Sequence, residues 1–184
     1  MAINIIQKIS EECSDFLHLA NDQALVKTLK DDNTNFKKVK VRTKISKNNF
    51  ITAFNDAFCN THNNMLGRSI FCNGKHKESP DNFHAQVYVF PINGFKYLFN
   101  PNITFHEEYA RIYEKLKDSM DRVSAEQLFK DMITYSYNER AVSFNEALFT
   151  SKEIIIYGVP YYYAVKVNKF SSYDDLLNIL KYVR

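Results

Sequence analysis

The sequence predicts one α+β domain, a mixed or antiparallel sheet with flanking helices. Helical apolar spacing and two-residue spacing alternate along the chain without a regular βαβ repeat, which argues against a doubly wound sheet. Turn signals also stand between closely spaced strands. The 184 residues are 45% hydrophobic and 24% charged, enough for one buried core. Four Gly and four Pro leave little room for linkers. Within the single domain, 1–34 reads as an N-terminal helical segment, 36–167 as the α+β core and 171–184 as a C-terminal helix.

From Ile3 to Ala20 the residues Ile5, Ile6, Ile9, Cys13, Phe16 and Leu17 recur near helical spacing, and ALVKTLK after Asp22 predicts a second short helix. In FKKVKVRTKI the period changes: Val39, Val41, Thr43 and Ile45 alternate with Lys38, Lys40, Arg42 and Lys44, a strand with one buried face. Ser46 then caps a helix with Phe50, Ala53, Phe54, Ala57 and Phe58 on one stripe, leaving through Gly67. RSIFCN is a short strand, and NGKHKESPDNFH a loop.

QVYVFPINGFKYLF holds the strongest turn signal, Asn93-Gly94 between two aromatic strands, and Pro91 predicts an edge strand or a bulge. Thr104 to Glu107 and Ser124 to Gln127 read as capping boxes ahead of two long helices, and Ser143 to Glu146 as a third ahead of a short one. Strands EIIIYG and YYYAVKV follow, joined through Val159-Pro160, and Ser172 caps a last helix.

Several function classes lack their sequence marks. The chain contains no GxxxxGK[ST], GxGxxG, HExxH or GxSxG motif. The histidines and the three cysteines have no metal-ligand spacing, so no metal site is predicted and the cysteines read as free thiols of a reducing cytoplasm. A Cys72–His84 catalytic pair is a minor alternative to buried, structural cysteines. No stretch approaches the roughly 20 apolar residues of a membrane span. The net charge of +3 does not by itself argue for nucleic acid.

Polar residues stand at the mouths of strands: Arg42, Arg68 with Ser69, and Glu153 directly ahead of Ile154-Ile155-Ile156. An arginine on an early strand, a hydroxyl residue on the next and a glutamate on a late one is similar to the arginine–serine–glutamate order of ADP-ribosyltransferases. More narrowly, GRSIFCNG, QVYVFPINGFKYLFNP and NEALFTSKEIIIYGVPYYYAV resemble a family of tailed-bacteriophage accessory proteins, over roughly Val39 to Val165.

The resemblance implies an ADP-ribosyltransferase-like fold and an NAD site in the host cytoplasm, acting on a host component, with a host protein as partner. Arg42 would hold an NAD phosphate with its paired donors, with Arg68 beside it, and Ser69 would support the nicotinamide-ribose pocket. Tyr88 or Phe90 would offer a stacking wall, and Glu153 would stabilise the oxocarbenium-like charge as nicotinamide leaves. These roles require Arg42, Ser69 and Glu153 to converge within about 10 Å. The second acidic or amide residue usual two places before the catalytic glutamate is here Ser151. Two other roles stay open: a non-enzymatic host-takeover or counter-defence protein that inhibits a host enzyme or toxin, and a small nucleic-acid-binding regulator. For the last, basic and aromatic residues interleave in FKKVKVRTK.

Overall fold

The computed structural model describes residues 2–30, 32–41, 53–54, 56, 69–74, 84–102, 107–138 and 143–183. They form one α+β domain around an open antiparallel sheet. Helices α1 (Ala2–Glu12) and α2 (Ser14–Leu19) lead into β1 (Val26–Lys30) and β2 (Phe36–Lys40). Strands β3 (Ile70–Asn73), β4 (His84–Pro91) and β5 (Lys96–Phe99) precede α3 (Glu107–Ser119), α4 (Arg122–Asn138) and α5 (Phe144–Leu148). The chain ends with β6 (Glu153–Tyr157), β7 (Tyr161–Lys166) and α6 (Tyr173–Tyr182).

The strand order is β2-β7-β4-β1-β3-β6-β5. Long ladders hold β2, β7, β4 and β1 together, and others hold β3, β6 and β5. Between the two blocks the recorded register is one pair, Val26 opposite Asn73. Each block is covered by helices. Phe90 meets Phe16 of α2 and Tyr88 meets Tyr173 of α6, while Phe144 of α5 packs on Tyr97 of β5. The other face of β3-β6-β5 carries Leu98, Ile155 and Tyr157 against Tyr109, Tyr113, Phe129 and Ile133 of α3 and α4, with Ala53 and Phe54.

Several expectations change. ALVKTLK is not a helix: Val26–Lys30 is β1, because it pairs along β4 and its burial alternates in twos. Leu and Lys tolerate a helix, but tertiary pairing overrides so weak a preference. The segment 1–34 is therefore helical only through Leu19. Pro91 marks neither an edge nor a bulge; β4 lies between β1 and β7 and Pro91 is its last residue, where a missing N–H costs little. Asp121, rather than Ser124, receives the first amides of α4, with Ser124 N–H donating to Oδ1 at 3.0 Å. The box at Ser143 forms as its sequence predicts, and Ser172 caps α6.

The turns at Asn93-Gly94 and Gly158-Pro160 do not close hairpins. β4 pairs with β1 and β7, and β5 with β6, so the first turn carries the chain from one block to the other. The second carries it back, from β6 to β7. Gly94 and Gly158 hold φ of 81° and 85°, conformations that a Cβ would disfavour. The two crossings lie side by side, since a Cβ on Gly158 would stand 3.8 Å from the Gly94 carbonyl oxygen. Strands β6 and β7 are buried on both faces, and each lies between two other strands, β6 between β3 and β5 and β7 between β2 and β4.

Candidate functional site

Glu153 opens β6 as its sequence predicts, half-buried and directly opposite Asn73. The Asn73 amide donates to the Ser151 carbonyl at 3.0 Å, and the Lys152 ammonium donates to the Pro101 carbonyl. The same ladder sets Ile70 opposite Ile156, so Ser69 lies at the far end of β3 from Glu153. Four residues of strand separate the Ser69 and Asn73 positions by roughly 13 Å. Ser69 and Glu153 are therefore not brought to one point. Arg42 and Arg68 lie outside the described residues.

Tyr88 is on β4, 7% exposed, with its ring 4.7 Å from that of Tyr173. Burial, and then the charge of Asp174, raise its hydroxyl pKa. Its face already has a protein ring on it. Glu146, the nearest other carboxylate in sequence, is held by the Ser143 amide and hydroxyl, both at 2.9 Å. The Cys72 thiol is buried, and burial pushes its pKa to about 12, with Lys27 opposing and Glu153 adding to the shift. His84 stands at the start of β4, with β1 between it and β3. This thiol is a core group and not an activated nucleophile. Among the described residues no group of three or more His, Cys, Asp or Glu is placed to hold a metal, and no helix is long and apolar enough to cross a membrane.

A different feature gathers charge. A groove of about 870 Å³ is lined by Lys27, Leu29 and Lys30 of β1, by Lys37, Lys38, Val39 and Lys40 of β2, and by Ser69, Ile70, His84 and Tyr162. Five lysines and one aspartate, Asp32, are among its lining. Strand alternation explains the arrangement. Lys27 and Leu29 register with Val87 and Ala85, and Lys37 and Val39 with Ala164 and Tyr162, so these side chains share one face of the β2-β7-β4-β1 block. Lys38 and Lys40 take the other face at the sheet edge. There Lys38 Nζ sits 3.4 Å from the centre of the Tyr161 ring, a cation–π contact.

Two groove lysines are engaged within the protein. Lys27 Nζ donates to the Phe71 carbonyl at 2.8 Å, and Lys37 Nζ to Asp32 Oδ2 at 2.9 Å. The Lys37 hydrogen bond, followed by that of the Thr34 amide, lowers the Asp32 pKa to about 2. Lys30 and Lys40 are exposed and make no ion pair with the described residues. Sequence reading found the basic strand FKKVKVRTK but not its partner, because Lys27 and Lys30 sit in the segment read as a helix. The signal available was the alternation of Val26, Thr28 and Lys30 with Lys27 and Leu29.

A smaller cavity of about 180 Å³ lies between α2 and α6, lined by Leu17, His18, Leu177 and Leu180, where Lys181 meets Asp22 at 3.5 Å. No family model, curated protein or solved structure matches the chain.

Proposed function

We propose that the protein is a non-enzymatic binder of an anionic, phosphate-bearing ligand, held in the groove between β1 and β2. The observation that carries this reading is the grouping of five lysines against one aspartate in a concave site of about 870 Å³. Lysine ammonium groups are compact, mobile point charges suited to phosphate oxygens without strict geometry. Ser69, half-buried on the same wall, adds a hydroxyl donor. The edge position of β2 supplies the ordinary competing account, because lysines also keep edge strands from pairing with other chains. Lys27 and Lys30 favour the binding account, since they lie on β1 in the interior of the sheet.

Transfer of ADP-ribose is the reading with less support, since the ladder separates Ser69 from Glu153 and a protein ring covers Tyr88. Binding is thus the form in which we carry forward the resemblance to phage accessory proteins that act on a host component. The test is elution from an immobilised polyanion such as heparin. Replacing Lys30, Lys37 and Lys40 together by Gln should move elution to clearly lower salt. Replacing Lys96, Lys115 and Lys169, which are not among the groove residues, changes net charge equally and should move it far less. Equal shifts in the two triple variants would sink the groove as the site. Incubation with labelled NAD and cell extract completes the comparison: transfer lost in Glu153→Ala would restore the enzymatic reading.

A further inference from the structure

We infer that the occupant of the groove is a single-stranded nucleic acid, a refinement that rests on the anion-binding reading above. The first argument is the mixed chemistry of the walls. Leu29 and Val39, both half-buried, line the groove together with the lysines, beside the buried Val41 and Ile70. An occupant that only carries charge, such as polyphosphate, leaves this apolar surface uncovered. A duplex behaves similarly, because its base faces are stacked inside and only its backbone meets the protein. An unpaired strand presents phosphates, sugars and free base faces at once, and both kinds of wall then have a partner.

Length gives the second argument. Lys30 is opposite His84 at one end of β4, and Val39 is opposite Tyr162, which is opposite Pro91, at the other. Seven residues of strand make this run roughly 23 Å. That span suits several linked nucleotides better than one phosphate group. The lysines are spread along it: Lys27 and Lys37 lie on the face of Leu29 and Val39, and Lys30 at one end and Lys40 beyond Val39 at the other leave from the opposite face. A chain of regularly spaced charges can meet them successively, whereas a compact anion reaches one or two.

The groove also predicts weak sequence preference. Tyr162 is the one tyrosine or phenylalanine among the described lining and is 3% exposed, so the exposed ring there is that of His84 and little ring surface is offered for stacking. Bases would rest on aliphatic side chains, which accept any base face. An acidic peptide is the other polymer that combines charge with apolar groups, but its carboxylates sit on flexible stems. Backbone phosphates fix the charge spacing instead.

The experiment measures fluorescence anisotropy of the full chain with labelled oligo(dT) and oligo(dA) of eight nucleotides, dinucleotides, an eight-base-pair duplex, polyphosphate and poly-glutamate. The octamers should bind with similar affinity, about tenfold more tightly than the duplex or the dinucleotides. Val39→Thr and Leu29→Thr, which keep strand-forming residues, should weaken the octamers roughly threefold and leave polyphosphate unchanged. Thermal melting of both variants confirms the fold, and Lys30→Gln serves as a surface variant that should weaken every anion. A duplex bound as tightly as the octamers overturns the single-strand inference, as does poly-glutamate or polyphosphate matching them; in each case anion binding stands. Binding of none of the probes overturns the anion-binding reading itself.

Discussion

Tyr163 donates its hydroxyl to Glu12 Oε2 at 2.8 Å, although the two residues are 151 apart in the chain. Tyr161 donates to the same oxygen, also at 2.8 Å, so one carboxylate at the end of α1 pins two residues of β7. Lys38 of β2 lies over the Tyr161 ring, which extends the connection to the edge strand on which the groove depends. The helix and the inner strand are thereby coupled through charge-assisted hydrogen bonds, and the basic edge through a cation–π contact.

Glu12→Gln should therefore destabilise the fold by about 1–2 kcal/mol at neutral pH, measured by urea denaturation. Burial alone would raise the Glu12 pKa, but hydrogen bonds from Tyr163 and Tyr161, with the charges of Lys38 and Lys8, leave it below its ordinary 4.5. A carboxyl depressed in the folded state stabilises above its unfolded pKa, and the contribution is lost as pH falls through the folded value. The difference between wild type and Glu12→Gln should be constant above about pH 5.5 and shrink on acidification below about 4.5. A difference independent of pH would show that the carboxylate charge contributes nothing.

Local sequence chemistry was readable where the partner is near in the chain. Ser143 with Glu146, Ser172 with Asp175, and Asn93-Gly94 each lie within three residues of their structural consequence. What was hidden is non-local. Nothing in IIIYGVPYYY says that β6 and β7 part company to join different blocks, and nothing in ALVKTLK says that β4 will be beside it. The groove was invisible for the same reason: Lys27 and Lys37 share a face only through the registers of β4 and β7. Glu153 was placed correctly at a strand mouth, yet its ladder position relative to Ser69 could not be read before β3 and β6 were paired.

Asp32 occupies Lys37 at the groove and so competes with any bound anion. Asp32→Asn should raise octanucleotide affinity roughly two- to fivefold. In a Lys37→Ala background the same change should have little effect, because the lysine that Asp32 occupies is gone. An equal gain in both backgrounds would mean that Asp32 acts by its charge at a distance and does not occupy Lys37.

Gly74 follows β3 where the chain passes under α5, and a Cβ there would stand 2.5 Å from Leu148 Cα. Leu148 is fully buried, so the backbone has nowhere to move. Gly74→Ala should cost about 2 kcal/mol or more, measured by urea or thermal denaturation. Gly94→Ala makes no such contact, since nothing lies within 4 Å of its Cβ position, and its cost is confined to the strain of φ 81°. Gly74→Ala should therefore be the more damaging of the two; the reverse order would show that α5 yields.

The two described cysteines provide a last check on the core. Cys13 and Cys72 are free and buried, and burial raises the pKa of both thiols. Cys13 also donates to the Phe90 carbonyl at 3.5 Å, which ties it to β4. In a Cys59→Ser background, neither should react with a thiol reagent at pH 8 until the protein unfolds, with rates at least about 100-fold below those in denaturant. Because the thiols sit on α1–α2 and on β3, their reaction rates report separately on the two blocks of the sheet. Faster labelling of Cys72 than of Cys13 would show that the β3-β6-β5 block opens first, where Val26 of β1 meets Asn73 of β3.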